Sequence, residues 1–146
     1  MSVEREVAQV APETSAPNQV EVRVPAEPDQ LSVMRAVVGD LAMRADHDVD
    51  SIADLRLAVD EACSSLVRLA ARDAPLVCRF RQTGEQLSIT AEVLSKNDSG
   101  PRKDTFSWRV LSALADVVST SVESDPTANG NHLVRIELTK GRTAQV

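Results

Sequence analysis

The alternation of polar and apolar positions through residues 53–71, ADLRLAVDEACSSLVRLAA, predicts the helix around which the rest of the chain is arranged. Ile52, Leu55, Val59, Ala62, Leu66 and Leu69 recur at alternating steps of three and four, which lays one apolar stripe along a helix. The opposite side gathers Asp54, Leu57, Glu61, Ser64, Ser65 and Arg68, with Glu61 and Ser65 one turn apart. Ser51 with Asp54 reads as a capping box at the start, and Asp50 is an alternative cap.

Other patterns flank this helix. Gln19 to Val24 alternates polar and apolar residues, as a half-buried strand does, and Pro25 ends it. Pro28, with Asp29 beside it, opens a helix whose stripe is Leu31, Met34, Val38, Leu41 and Ala45, with Arg35 on its border. Leu76 to Arg81 and Leu87 to Leu94 read as a hairpin around Gln82-Thr83-Gly84-Glu85. Asn97 to Lys103 is a polar loop, after which Asp104 can cap a third helix bearing Phe106, Val110, Ala113, Leu114 and Val117. Thr120 to Glu123 and Leu133 to Leu138 are two more strands around a turn from Asp125 to Asn131.

The predicted order is strand, helix, helix, two strands, helix, two strands. That order implies a two-layer α/β (α+β) sandwich, a mixed sheet of about five strands with three helices on one face. The expected organisation is a disordered tail at 1–17, one domain over 18–140 and a short tail at 141–146.

Composition narrows the function. The 146 residues are 42% apolar and 26% charged, ordinary for a soluble globular domain. A formal charge of −6, with Phe80, Phe106 and Trp108 as the whole aromatic set, argues against direct nucleic-acid binding, which needs clustered cations and stacking rings. A basic partner or a protein surface suits the chain better. The two cysteines, Cys63 and Cys78, form no CxxC motif and read as free buried thiols in a reducing compartment. The absence of any membrane-length apolar run, and an acidic, polar MSVEREVAQVAPE start, lead to a cytoplasmic expectation. His47 and His132 have no ligand-spaced partners and are expected at the surface.

The words LRLAVDEACSSLV resemble the helix of the RsbW-like anti-sigma factor serine kinases that carries A-V-x-E-A-x-x-N-A-V. This branch belongs to the GHKL (Bergerat, histidine-kinase-like ATPase) fold. Two further stretches are similar to the family: Trp108 to Val118 looks like the helix after its second glycine box, and V-R-I-E-L-T looks like its last strand. The resemblance covers about residues 18–140 and implies a catalytic base at Glu61, which bare periodicity would read as a solvated charge. It puts the family's magnesium-holding Asn on Ser65, a metal ligand of shorter reach.

The family's nucleotide contacts are largely replaced. Its first glycine box, D-x-G-x-G, maps onto Val93, Ser95 and Asn97 with no carboxylate, and its second box maps onto Thr105 and Ser107 with no glycine. Trp108 either fills part of that pocket or is ordinary core.

The resemblance therefore implies a degenerate, actinobacterial-type anti-sigma-F factor. Such a protein would bind an alternative sigma factor, be released by a STAS-type anti-anti-sigma partner, and use ATP and Mg2+ weakly or not at all. The alternative is an active ATP-dependent serine kinase of that partner, and a third option is a small-molecule sensor using the vacated cleft. A homodimer through the first strand and first helix is also implied. The family presents an arginine to both partners, and it aligns with Arg35; pairing of Arg35 with Glu27 or Asp29 is the competing reading.

Overall fold

The computed structural model describes residues 19–124, 127 and 129–142, so the tail expected at 1–17 lies outside the described residues, as does part of the turn after Ser124. In order the elements are β1 (Gln19–Pro25), a 3-10 turn (Pro28–Gln30), α1 (Leu31–Arg44), α2 (Val49–Leu69), β2 (Pro75–Thr83), β3 (Gln86–Ser95), α3 (Phe106–Leu114), β4 (Val117–Ser124) and β5 (His132–Gly141). The strands form one sheet in the order β1-β2-β3-β5-β4. All four pairings are antiparallel, which corrects the expected mixed sheet. Every β neighbour is reached without a parallel crossover, because α3 with β4 joins β3 to an antiparallel β5.

One sheet face is apolar. The register aligns Val22 with Cys78, Phe80 with Ile89, and Ala91 with Ile136, and alternation turns these side chains to the helices. Leu55, Val59, Ala62 and Leu66 of α2 complete this core with Met34 and Val38 of α1. Within it the Cys63 and Cys78 Sγ atoms lie 3.6 Å apart, and the Cys78 contact together with burial pushes the Cys63 thiol well above its usual range.

The other face carries charge. Glu21, Arg79, Glu92, Arg135 and Glu123 come from five different strands and alternate in sign. Arg79 lies 3.0 Å from Glu21 and 3.1 Å from Glu92; Arg135 lies 3.2 Å from both Glu92 and Glu123. The ladder lets Glu92 stay buried because two guanidinium groups replace its water.

Local corrections follow from backbone geometry. Asp48, extended at ψ 172, caps α2 by accepting from Ser51 N at 2.8 Å, so neither the Ser51 box nor Asp50 starts the helix. Thr105 rather than Asp104 caps α3, accepting from Trp108 N at 3.2 Å, because Asp104 is held by the Arg102 fork at 2.7 and 3.0 Å. That fork also holds the Asp104 carboxyl below its ordinary value. Val117 belongs to β4 because the backbone turns extended at Ala115, with ψ 154. Pro28 opens a 3-10 turn, and α1 begins at Leu31.

His47 is buried, at 5% exposure, not at the surface. Asp46 takes a left-handed φ of 65° while Asp46 N donates to Met43 O and His47 N to Ala42 O, closing α1 and turning the ring inward. There its Nε2 lies 3.3 Å from Gln82 Oε1. No helix among the described residues is long and apolar enough to cross a membrane.

Candidate functional site

The polar side of α2 meets the start of α3. Glu61 and Ser65 rise one turn apart from the half-buried border of α2, opposite the stripe that anchors the helix to the sheet. The Thr105 cap fixes where α3 begins, and Thr105 Oγ1 in turn donates to Arg102 O at 3.2 Å. Two residues on, Ser107 is delivered to the carboxylate: its Oγ donates to Glu61 Oε1 at 2.8 Å.

The remaining contacts give this cluster a direction. Ser107 has one proton and spends it on Glu61, so at 3.3 Å it accepts from the Ser65 hydroxyl. Ser65 Oγ accepts from Arg68 Nη2 at a long 3.5 Å. A chain of donors thus runs Arg68, Ser65, Ser107 and ends on the Glu61 carboxylate, tying α2 to α3.

Beside this chain a cavity of about 200 Å3 opens between Ser65, Arg68, Gly100, Arg102, Thr105 and Trp108. Gly100 is required where it stands. Its φ is +70° and a Cβ there would lie 2.8 Å from Val122 Cγ2, so the loop before α3 closes against β4 only with glycine. Trp108 is half-buried against the core, and Lys103 Nζ lies 5.8 Å from its ring centroid. A larger cleft, about 690 Å3, lies beside the same C-terminal end of α2, on the side of β1 and β2, between Arg23, Glu27, Val67 and Asp73, but it contains none of the positions matched to the family's catalytic and nucleotide contacts. The chemistry-bearing groups meet at the smaller one.

Of the positions matched to the family's nucleotide contacts, Glu61, Ser65, Thr105 and Ser107 come together. Val93, Ser95 and Asn97 do not line the cavity. Val93 is 1% exposed in the core. Ser95 Oγ accepts from Asn97 N at 3.1 Å, and Asn97 Oδ1 accepts from both the backbone and the hydroxyl of Ser99, so these side chains are spent on shaping the turn after β3. Among the described residues no group of three or more His, Cys, Asp or Glu could hold a metal ion.

Arg35 reaches across from α1. Its Nη1 lies 2.7 Å from Asp60 Oδ1, next to Glu61, with side chains 43% and 32% exposed. The partner is Asp60, neither Glu27 nor Asp29. Sequence reasoning missed Asp60 because it stands 25 residues away on another helix. The direct contact of Ser107 with Glu61, 46 residues away, was missed for the same reason.

Comparison with known proteins gives this geometry its relatives. The family model for the histidine kinase-like ATPase domain matches residues 24–134. The anti-sigma-F factor RsbW of Mycobacterium tuberculosis is 35% identical over 125 residues, covering 86% of this chain and 74% of that protein. The serine-protein kinase RsbW of Bacillus subtilis is 35% identical over 54 residues, covering 37% of this chain and 34% of that one. A crystal structure of the RsbU and RsbW domains of a Mycobacterium tuberculosis protein shares the fold, with a TM-score of 0.63 at 15% identity over 90% of this chain and 34% of that chain. The α+β architecture is therefore that of the GHKL-type ATPase domain, and the chain belongs to the RsbW family of anti-sigma factors and serine-protein kinases.

Proposed function

We propose that this protein is an anti-sigma factor that sequesters an alternative sigma factor of the stress or sporulation type in the cytoplasm. A STAS-type anti-anti-sigma partner releases it, and its nucleotide site is degenerate. The observation that carries the last point is the Ser107 hydroxyl seated on Glu61 at 2.8 Å beside a cavity of only about 200 Å3. Pockets that enclose drug-sized ligands are commonly about 300–1,000 Å3, and a nucleoside triphosphate is at least that large a guest. Val93 adds an apolar, buried side chain where the family has the carboxylate that would pair with adenine. Each unmade polar contact costs about 1–3 kcal/mol, and such losses compound. On this reading the side chains at the cluster are a poor fit for magnesium-ATP.

Calorimetric titration of the purified chain with magnesium-ATP is expected to give no measurable heat of binding, while the cognate sigma factor binds. A micromolar dissociation constant for ATP would overturn the degenerate site. One observation favours the kinase reading: Glu61 occupies the family's base position with a hydroxyl already in hydrogen-bond reach, which is the geometry a general base needs. Phosphate transfer to an anti-anti-sigma partner that disappears in Glu61→Ala would establish it.

The proposal includes a homodimer. Among the described residues β1 stands at the edge of the sheet, paired with β2 on one side, and it carries Val20 at 37% exposure, so a second copy can extend the sheet there. Light scattering is expected to give twice the chain mass. A monomeric mass at high concentration would remove the dimer and leave sigma-factor binding standing.

A further inference from the structure

Two sulfur atoms sit in van der Waals contact at the junction of helix and sheet. Cys63 stands on α2 between Glu61 and Ser65, and Cys78 stands in β2 opposite Val22 of β1. Both are buried, at 1% and 0% exposure, with Sγ atoms 3.6 Å apart. Neither belongs to a metal-binding group among the described residues, and no hydrogen bond to a third residue is needed to explain the contact. A disulfide requires about 2.05 Å between sulfurs and a fixed dihedral, so closing the bond must draw the two sulfurs about 1.5 Å nearer.

We propose that Cys63 and Cys78 form an oxidative modification site, at which a hydroperoxide converts the dithiol into a disulfide that staples α2 to β2. In the first step, when α2 lifts from β2 and water takes up the proton of one thiol, that thiolate attacks a peroxide oxygen. The S–O bond forms, the O–O bond breaks, and the departing oxygen leaves as water after taking up a proton. In the second step the other sulfur attacks the sulfenic sulfur; the S–S bond forms, the S–O bond breaks, and a second water leaves. The two thiols lose two electrons and two protons, and one hydrogen peroxide becomes two waters.

Burial sets the rate. Peroxide reaches sulfur only when the end of α2 lifts from β2, so the reaction is slow in the native protein and quickens under mild denaturant. The disulfide closes a short loop through the turn at Ala70 to Ala74, and a loop of about 15 residues constrains the unfolded chain enough to raise the melting temperature of a domain of this size by about 5–10 °C. It also fixes, relative to the sheet, the helix that presents Glu61 and Ser65.

The test uses the full chain, reduced and then incubated with hydrogen peroxide, denatured with an alkylating reagent and weighed intact. The expected product is a monomeric chain lighter by two hydrogens and carrying no alkyl group, whose raised melting temperature returns to its starting value with dithiothreitol. The chain has only two cysteines, so the mass assigns the bond. Cys63→Ala and Cys78→Ala, made separately, should each lose the reversible temperature shift, so failure of one to fold leaves the other to decide. Two alkylated thiols after prolonged oxidation would overturn the proposal. Sulfinic acid at either position, or a disulfide joining two chains, would do the same.

Discussion

Leu66→Ala is expected to destabilise the fold by about 2–5 kcal/mol, whereas Glu61→Ala, on the same helix, is expected to cost less than about 1.5 kcal/mol. Leu66 is 0% exposed among the core side chains of both layers, and removing its isopropyl group leaves a cavity that the sheet cannot collapse to fill. Glu61 lies on the border of the helix and gives up one hydrogen bond from Ser107, whose hydroxyl turns to Ser65 or water. Urea denaturation of the two variants beside the parent measures both. If Leu66→Ala fell within 1 kcal/mol of the parent, the stripe would not be the anchor of α2. If Glu61→Ala cost as much as Leu66→Ala, the polar cluster would hold the fold together instead of standing free for partners.

That contrast marks what could be read from the sequence. The stripe Leu55, Val59, Ala62 and Leu66 is a local property, repeated every three or four residues, and it is buried as its spacing predicts. The strand alternations of β1 and β3 are legible for the same reason. Strand direction is not local: the residues of β5 look the same whether the strand runs parallel or antiparallel to β3. The caps failed differently, because Asp48, Asp50 and Ser51 are all suitable cap residues and only the backbone angle at Asp48 selects between them. Val117 falls at helical spacing from Ala113 and Leu114 by coincidence, and the V-V-S-T-S-V alternation that follows is the signal that could have moved it to β4.

The site was half legible. Family spacing placed Glu61 and Ser65 together because both lie on one helix face. The hydroxyl that completes the cluster belongs to a position where only the loss of a glycine could be read, and the contact exists because Thr105 starts α3 at that point. The charge ladder was invisible, since its members Glu21, Arg79, Glu92, Arg135 and Glu123 meet only when five strands take their register. His47 was misplaced because a left-handed turn at Asp46, not a hydrophobic pattern, carries it inward.

Arg35→Ala is expected to leave the fold intact and to weaken sigma-factor binding at least about tenfold, which corresponds to about 1.4 kcal/mol. Its pair with Asp60 is short, 2.7 Å, but both side chains are partly in water, at 43% and 32% exposure. An ion pair so placed contributes about 0–1 kcal/mol to stability, because solvent screens it and two side chains must be ordered to make it. A guanidinium that also meets a partner's carboxylate is a different case: truncating an interface arginine can cost about 2 kcal/mol or more. In that case Asp60 would hold the guanidinium plane between α1 and α2 before the partner arrives. Asp60→Ala should therefore reduce affinity less than Arg35→Ala, since the arginine keeps its charge and loses only its orientation. Titration of both variants with the sigma factor, beside their thermal midpoints, separates the roles. An unchanged affinity for Arg35→Ala together with a lowered midpoint would make Arg35 a brace between two helices and move the partner surface elsewhere on the molecule.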